Sequence, residues 1–249
     1  MKEYKLSARA IVMTQGSSAG TQPKYYDSGY WYKTNNTGYE GKAERLVSLL
    51  LSCTDVENYV TYEECTINGR NGCRSLNFLH ESESFISFQR LYDMYKGGNL
   101  IDHIMLIDDI NDRIKYVLDF IMYYTNLDCR KYLSNILTLD FITLNTDRHF
   151  HNLGIIANSE TDEFRCAPIF HNGCSLLSNY EQFPADVSIE DNIEKVYGQP
   201  FSGNLWLQAK AAGISLNIDY TKIDELLENE ESSRALDVLR LRLEFFKNL

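Results

Sequence analysis

The chain has 249 residues, enough for one large domain or for two small lobes sharing a cleft. Hydrophobic residues at 44% against 24% charged exclude a disordered chain. A formal net charge of −11 with no Lys/Arg run argues against direct nucleic-acid binding.

Taken in chain order, the first third reads as strands. Lys5 to Thr14 contains a short apolar run, and residues 15–23 form a loop of small residues. Tyr25 to Thr34 is aromatic-rich around an Asp27-Ser28-Gly29 turn, which predicts a hairpin. Tyr39 to Cys53 switches to helical spacing, with Ala43, Leu46, Val47 and Leu50 on one stripe and Glu44 at its edge. Strand character returns at Tyr59 to Ile67, turns at Asn68-Gly69, and resumes from Cys73 to Leu79.

Past Leu79 helices take over. Ile110, Ile114, Val117, Leu118 and Ile121 form one stripe, and Leu133, Ile136 and Leu137 begin another. Leu153 to Ala157 and Cys166 to Phe170 read as a hairpin joined by residues 158–163. From Ile189 the pattern is mostly helical, most clearly over Ala235 to Phe246, and the acidic stretch from Asp224 to Glu231 reads as a solvated helix face and turn. The predicted class is α+β, with a strand-rich N-lobe over residues 1–82 and a helical C-lobe over 83–249.

The six cysteines (53, 65, 73, 129, 166 and 174) show no tight disulfide framework. The sequence has neither a cleavable leader pattern nor the roughly 20 continuous apolar residues of a membrane span. The expectation is a reduced, soluble, cytoplasmic protein that does not engage a membrane.

The most informative segment is Asn145-Thr146-Asp147-Arg148-His149-Phe150-His151-Asn152, after a predicted helix and before a predicted strand. Phosphoryl transfer needs a carboxylate to orient and deprotonate an attacking hydroxyl. It also needs an oxygen ligand nearby to hold a metal ion against the phosphates. An Asp and an Asn five positions apart on one short loop supply both. As a bare D-x-x-x-x-N, the pattern equally fits a capping Asp147 paired with Arg148 and packed histidines. The longer N-x-D-R-H-x-x-N string, followed by Leu153-Gly154-Ile155-Ile156, resembles the HipA-like Ser/Thr protein kinase family.

That resemblance implies a two-lobed protein-kinase-like fold, ATP with Mg²⁺ as cofactor, and a protein Ser/Thr hydroxyl as acceptor. It makes Asp147 the catalytic base and Asn152 a metal ligand, with Arg148 and His149 bracing the loop. Upstream, the segment containing Gly16, Ser17, Ser18, Gly20 and Gln22 and ending in Pro23-Lys24 resembles the family's phosphate loop. Small residues there let backbone N–H groups approach phosphate oxygens. The same resemblance marks Ser17 and Ser18 as candidates for autophosphorylation. Lys33, in Tyr30-Trp31-Tyr32-Lys33, matches the ATP lysine, and Glu44 its ion-pair partner. Ser75 to Leu79 falls where the hinge would lie, with Asn77 and Leu79 offering backbone groups to adenine. The chain reads as a compact member, so carry-over of contacts with an antitoxin is not implied.

One position departs from the pattern. Phe170-His171-Asn172-Gly173 resembles the segment that carries the family's second metal ligand, an Asp, but this chain has His171. Mg²⁺ prefers oxygen ligands, and imidazole removes both an oxygen and a negative charge. The expected result is impaired Mg²⁺ binding and slow transfer. An inactive variant of an active kinase, a nucleotide-binding pseudokinase acting as a regulatory or interaction module, and a site using Mn²⁺ are all compatible with this. A rival reading takes His149, His151, Cys166, His171 and Cys174 as a zinc site. The protein substrate and any antitoxin-like partner are not specified by the sequence.

Overall fold

The computed structural model describes residues 1–11 and 24–249. A five-stranded sheet has the order β1-β4-β5-β3-β2. Its strands are β1 (Lys2–Tyr4), β2 (Lys24–Asp27), β3 (Tyr30–Thr34), β4 (Tyr62–Ile67) and β5 (Arg70–Leu76). Ser28-Gly29 and Asn68-Gly69 close the β2–β3 and β4–β5 hairpins, with φ of 51° and 82° and of 49° and 80°. Two successive positive φ values match the right-handed twist of the flanking strands, which is why glycine follows a small polar residue in both.

The helix α1 (Glu40–Leu51) crosses this sheet between β3 and β4. It approaches unusually closely at one point: a Cβ on Gly41 would lie 2.6 Å from the backbone of Gly72 in β5, and a Cβ on Gly72 would lie 2.0 Å from the Lys33 carbonyl oxygen. Bare backbone at Gly41 lets the start of α1 sit on the sheet, one turn before Glu44, while bare backbone at Gly72 leaves room for the β3 backbone beside it.

A second sheet, β6-β7-β8, joins β6 (Glu83–Ser87), β7 (Gly154–Asn158) and β8 (Phe164–Cys166), all antiparallel. The hairpin forms, but its second strand lies at Phe164–Cys166 rather than at Cys166 to Phe170. Pro168 has no N–H to continue the ladder. The strand β6 has no counterpart in the sequence reading.

Between β6 and β7 run α2 (Phe88–Lys96), α3 (Leu100–Ile104), α4 (Ile110–Thr125) and α5 (Arg130–Thr143). After β8 come α6 (Ile189–Ile193), α7 (Leu205–Ala212), α8 (Tyr220–Glu228) and α9 (Arg234–Lys247). Side-chain caps start several of them, including Asp109 on α4 and Ser233 on α9. Every residue of α5 from Tyr132 to Thr143 is buried, so it is a central helix rather than the one-sided one that its stripe suggests. One large apolar cluster joins α1 (Leu46, Val47, Leu50) to α4, α5 and α9, so the sheet's helix shares the core of the helical part. No helix among the described residues is long and apolar enough to cross a membrane.

Candidate active site

The helix α5 ends at Leu144, in the left-handed conformation with φ 59°, and releases the chain directly into residues 145–152. A branched side chain is costly at that φ. Leu176 and Leu177, at φ 58° and 59°, repeat the strain in the facing segment. The two segments are laced together: Asn145 Nδ2 donates to the His171 carbonyl at 3.2 Å and Thr146 N–H to the Cys174 carbonyl at 3.2 Å. The Asn145 Oδ1 accepts from the Asp147 N–H at 3.0 Å, which sets the Asp147 backbone.

Arg148 anchors the assembly. Its guanidinium, with no exposed surface, donates twice to the Asp140 carboxylate of α5, at 2.9 and 3.0 Å. It also donates to the Phe170 carbonyl at 2.6 Å and to Asn172 Oδ1 at 2.7 Å. A planar fork that satisfies a carboxylate bidentately and reaches two further acceptors is chemistry that only Arg supplies. Arg148 thereby ties this loop to α5 and to the segment at residues 170–172. Its partner is Asp140, not the neighbouring Asp147.

From Asn172 the chain of bonds continues into the sheet. The Asn172 N–H donates to Glu44 Oε2 at 2.8 Å, and Glu44 Oε1 accepts from Lys33 Nζ at 2.9 Å. Glu44 is buried and points inward from the edge of the α1 stripe. Burial, the largest influence, would lower the Lys33 ammonium, but Glu44, Tyr62 and Cys73 together push it up, so Lys33 is held charged. The Tyr62 ring lies 5.2 Å from the same ammonium.

Asn152 lies under the loop that Asp147 heads. Its Nδ2 donates to the Asp147 carbonyl at 2.7 Å and lies 3.2 Å from both His149 Nε2 and His171 Nδ1. The Asp147 carboxylate is 3.6 Å from His149 Nε2 and 3.9 Å from His171 Nδ1. Burial raises the Asp147 carboxyl above its ordinary value, partly offset by His149, Arg148 and the two lysines. A raised value suits a proton acceptor. Burial, then Lys33, Arg148 and Lys24, hold His171 well below the usual imidazole range, so its ring is neutral. At φ 65° His171 occupies a conformation in which Asp, Asn and His are the commoner non-glycine residues, so an Asp there would need no backbone change.

These groups line two adjoining cavities. The polar one, about 180 Å³, includes Lys33, Glu44, Asp147, His149 and His171. The more apolar one, about 430 Å³, is walled by Trp31, Val60, Tyr62, Phe78, Phe85 and Phe170. Lys24, Lys33 and His171 belong to both. The shape suits a ligand with a flat apolar group at one end and an anionic group at the other. Asn77 and Leu79 sit in the apolar cavity, but not as free hinge groups. Asn77 Nδ2 donates to the Leu79 carbonyl and its Oδ1 accepts from Trp31 Nε1 and from the Leu79 N–H. The Asn77 N–H goes to Gly29. Among the described residues, the Phe78 N–H and carbonyl remain without a partner. The expected phosphate-loop residues Gly16, Ser17, Ser18, Gly20 and Gln22 lie outside the described residues.

The residues present do not fit the resident Mg²⁺ that the family resemblance implies. Asn152 Oδ1 is a buried oxygen with no hydrogen-bond partner, as a ligand atom would be. The second place, however, offers a neutral imidazole that faces the Asn152 amide nitrogen. A hard ion needs oxygens there. Nor is the zinc expectation met. Among the described residues no three His, Cys, Asp or Glu side chains are grouped to hold a metal. Cys166 instead faces Cys129, sulfur to sulfur at 3.2 Å.

Lys24, Asp140, Asn172 and Tyr62 were not singled out as site residues by sequence. The available signals were an acid inside the otherwise apolar helix that precedes the loop, and a lysine directly after the Gly/Ser stretch.

No protein-family model matches the sequence, and no curated protein matches it. Among solved structures, the chain is similar to the Helicobacter pylori proinflammatory kinase CtkA. The TM-score is 0.65 at 17% identity, covering 91% of this chain and 90% of that one. The fold is kinase-like. A further match is HipA of Shewanella oneidensis MR-1, solved with HipB and operator DNA. It has a TM-score of 0.42 at 11% identity, covering 98% of this chain and 67% of that one.

Proposed function

We propose that this chain is an ATP-binding protein whose cleft is built for phosphoryl transfer to a protein Ser or Thr hydroxyl, with turnover held low by His171. The observation that carries the reading is the pair of half-buried Lys33 with buried Glu44 in the same polar cavity as Asp147. A charged amine held by a helix carboxylate binds phosphate oxygens without having to be ordered first. The neighbouring apolar cavity would take the base. Asp147, carrying a raised carboxyl pKa, would accept the proton of the attacking hydroxyl. His149 and the Asn152 amide would keep the Asp147 loop in register.

The neutral ring of His171 supports a regulatory or interaction role as the second reading, in which nucleotide binding rather than turnover is the output. One experiment separates the two. Purified protein and His171→Asp are incubated with labelled ATP, Mg²⁺ or Mn²⁺ and a generic protein substrate. Transfer by His171→Asp, lost again by roughly 10²–10⁴-fold when Asp147→Asn is added, supports the kinase reading. ATP-dependent thermal stabilisation without transfer by either protein favours the regulatory one. Absence of stabilisation in every condition refutes both.

A further inference from the structure

We propose that Cys129 and Cys166 form an oxidative modification site, a dithiol that hydrogen peroxide converts to a disulfide closing a covalent ring around the Asp147 loop. The site does not depend on what the cleft binds. The two sulfurs lie 3.2 Å apart, and the residues are 37 positions apart in the chain. Among the described residues no other two cysteine sulfurs are in contact.

The backbone on both sides is held in place. The Cys129 carbonyl accepts the first hydrogen bond of α5, from the Leu133 N–H at 2.9 Å. Cys166 ends β8, opposite Ile155 of β7. Its carbonyl accepts from Asn58 Nδ2 at 3.2 Å, and the next N–H, of Ala167, donates to the Gly154 carbonyl at 3.1 Å. A sulfur–sulfur bond is ~2.05 Å long, so the two side chains have only about 1 Å to close.

The surroundings give the two thiols different tasks. Cys129 is buried, whereas Cys166 keeps some exposed surface and is the one a peroxide reaches. The Cys129 S–H donates to the Cys166 sulfur. That bond holds the Cys166 thiol below its ordinary pKa, against burial and Asp128, and pushes the Cys129 thiol up. The thiolate is the reactive form, so Cys166 reacts first. Its sulfur attacks one peroxide oxygen, the O–O bond breaks, and Cys166 becomes a sulfenic acid while the departing hydroxide takes up a proton as water. The Cys129 sulfur then attacks the Cys166 sulfur, the S–O bond breaks, and the Cys129 proton leaves with that oxygen as a second water. Two thiols lose two hydrogens, and one hydrogen peroxide is reduced to two waters.

The ring so closed contains α5, all of residues 145–152 and β7. Asp140, Asp147, Arg148 and Asn152 therefore lie within one covalent loop, whose far end precedes His171 by a few residues. Closing a loop of this length restricts the unfolded chain and stabilises the folded one. Oxidation thus braces the candidate site rather than dismantling it.

The test takes the full chain, reduced with dithiothreitol and then treated with hydrogen peroxide, and reads peptide masses and the melting temperature. The expected product is one peptide pair linked through Cys129 and Cys166, lighter by two hydrogens, with a melting temperature higher by roughly 5–15 °C. Dithiothreitol should reverse both. Cys129→Ser removes the resolving thiol, so Cys166 should go on to a sulfinic acid, gaining two oxygens, with no rise in melting temperature. In the wild-type chain, sulfinic acid accumulating at Cys166 overturns the role given to Cys129. Linkage through other cysteines, or both thiols left free, overturns the site. A Cys129–Cys166 bond that leaves the melting temperature unchanged or lower overturns the bracing. The wild-type measurements decide between these outcomes whether or not Cys129→Ser folds.

Discussion

Replacing Arg148 by Met keeps a side chain of similar length in the loop and removes every hydrogen bond the guanidinium makes. Four are lost: two to Asp140, one to the Phe170 carbonyl and one to Asn172. The Asp140 carboxylate, with no exposed surface, is then a buried charge without its cation, left with the Asn145 side chain. Breaking a buried pair from one side costs about 3–5 kcal/mol, and the orphaned carbonyl adds ~1–3 kcal/mol. Some overlap is expected, so the loss should be about 4 kcal/mol. That is a large share of the ~5–15 kcal/mol that holds a typical domain folded. The measurement is urea unfolding followed by circular dichroism. In the variant the Asp140 carboxyl is held above its unfolded value, so its penalty is absent at low pH and grows as pH rises. The deficit should accordingly be smaller at about pH 5 than at about pH 8. Adding Asp140→Leu removes the stranded charge and should return ~2 kcal/mol or more. A cost below ~1 kcal/mol for Arg148→Met, or a double variant no more stable than the single one, would refute the account of this ion pair as the knot of the site.

Other outcomes follow from the same geometry. Glu44→Gln frees Lys33 and weakens the bond to Asn172; at ~3 kcal/mol for a truncated buried pair it should lower the melting temperature by roughly 6–12 °C in scanning calorimetry. ATP affinity should fall as pH rises from about 7 to about 9, by up to tenfold. Burial, and then Lys33, pull the Lys24 ammonium down to about 8 against Glu44 and Asp147, and a phosphate beside it would favour its charged form. Calorimetry across that range should show the fall, flattened in Lys24→Met. Gly72→Ala should destabilise the protein by about 1–3 kcal/mol in urea unfolding, because its Cβ would lie 2.0 Å from the Lys33 carbonyl oxygen. Mild peroxide should join Cys129 and Cys166, whose sulfurs lie 3.2 Å apart, with loss of two hydrogens by mass spectrometry; Cys129→Ser should prevent it.

Much of the fold and part of the site could be read from the chain. Hairpins marked by Ser-Gly and Asn-Gly, and α4 and α9 with their apolar stripes, carry local signals that tertiary context did not override. The meeting of Asp147 and Asn152 on one loop is what their separation in the sequence suggests. What escaped depends on contacts between distant segments. Asp140 looks like an anomaly in an apolar helix until Arg148 folds back onto it. Asn172 gains its meaning from Glu44, 128 residues earlier. The short strand β6, five residues with Glu at its start, has too little alternation to stand out, and its pairing with β7 defines it. The side-chain bonds of Asn77 to Leu79 and Trp31 likewise cannot be seen in spacing.

The small sheet has a mechanical corollary. The strand that follows the Asn77–Leu79 connector, β6, is hydrogen-bonded along its whole length to β7, which follows Asn152 at once. Phe85 and Asn152, both in the wall of the apolar cavity, are thus carried on one plank. Rocking of the five-stranded sheet would widen or narrow the gap between Lys33 and Asn152, while Phe85 and Asn152 would keep their separation. A ligand would feel such motion as a change of grip at its charged end alone.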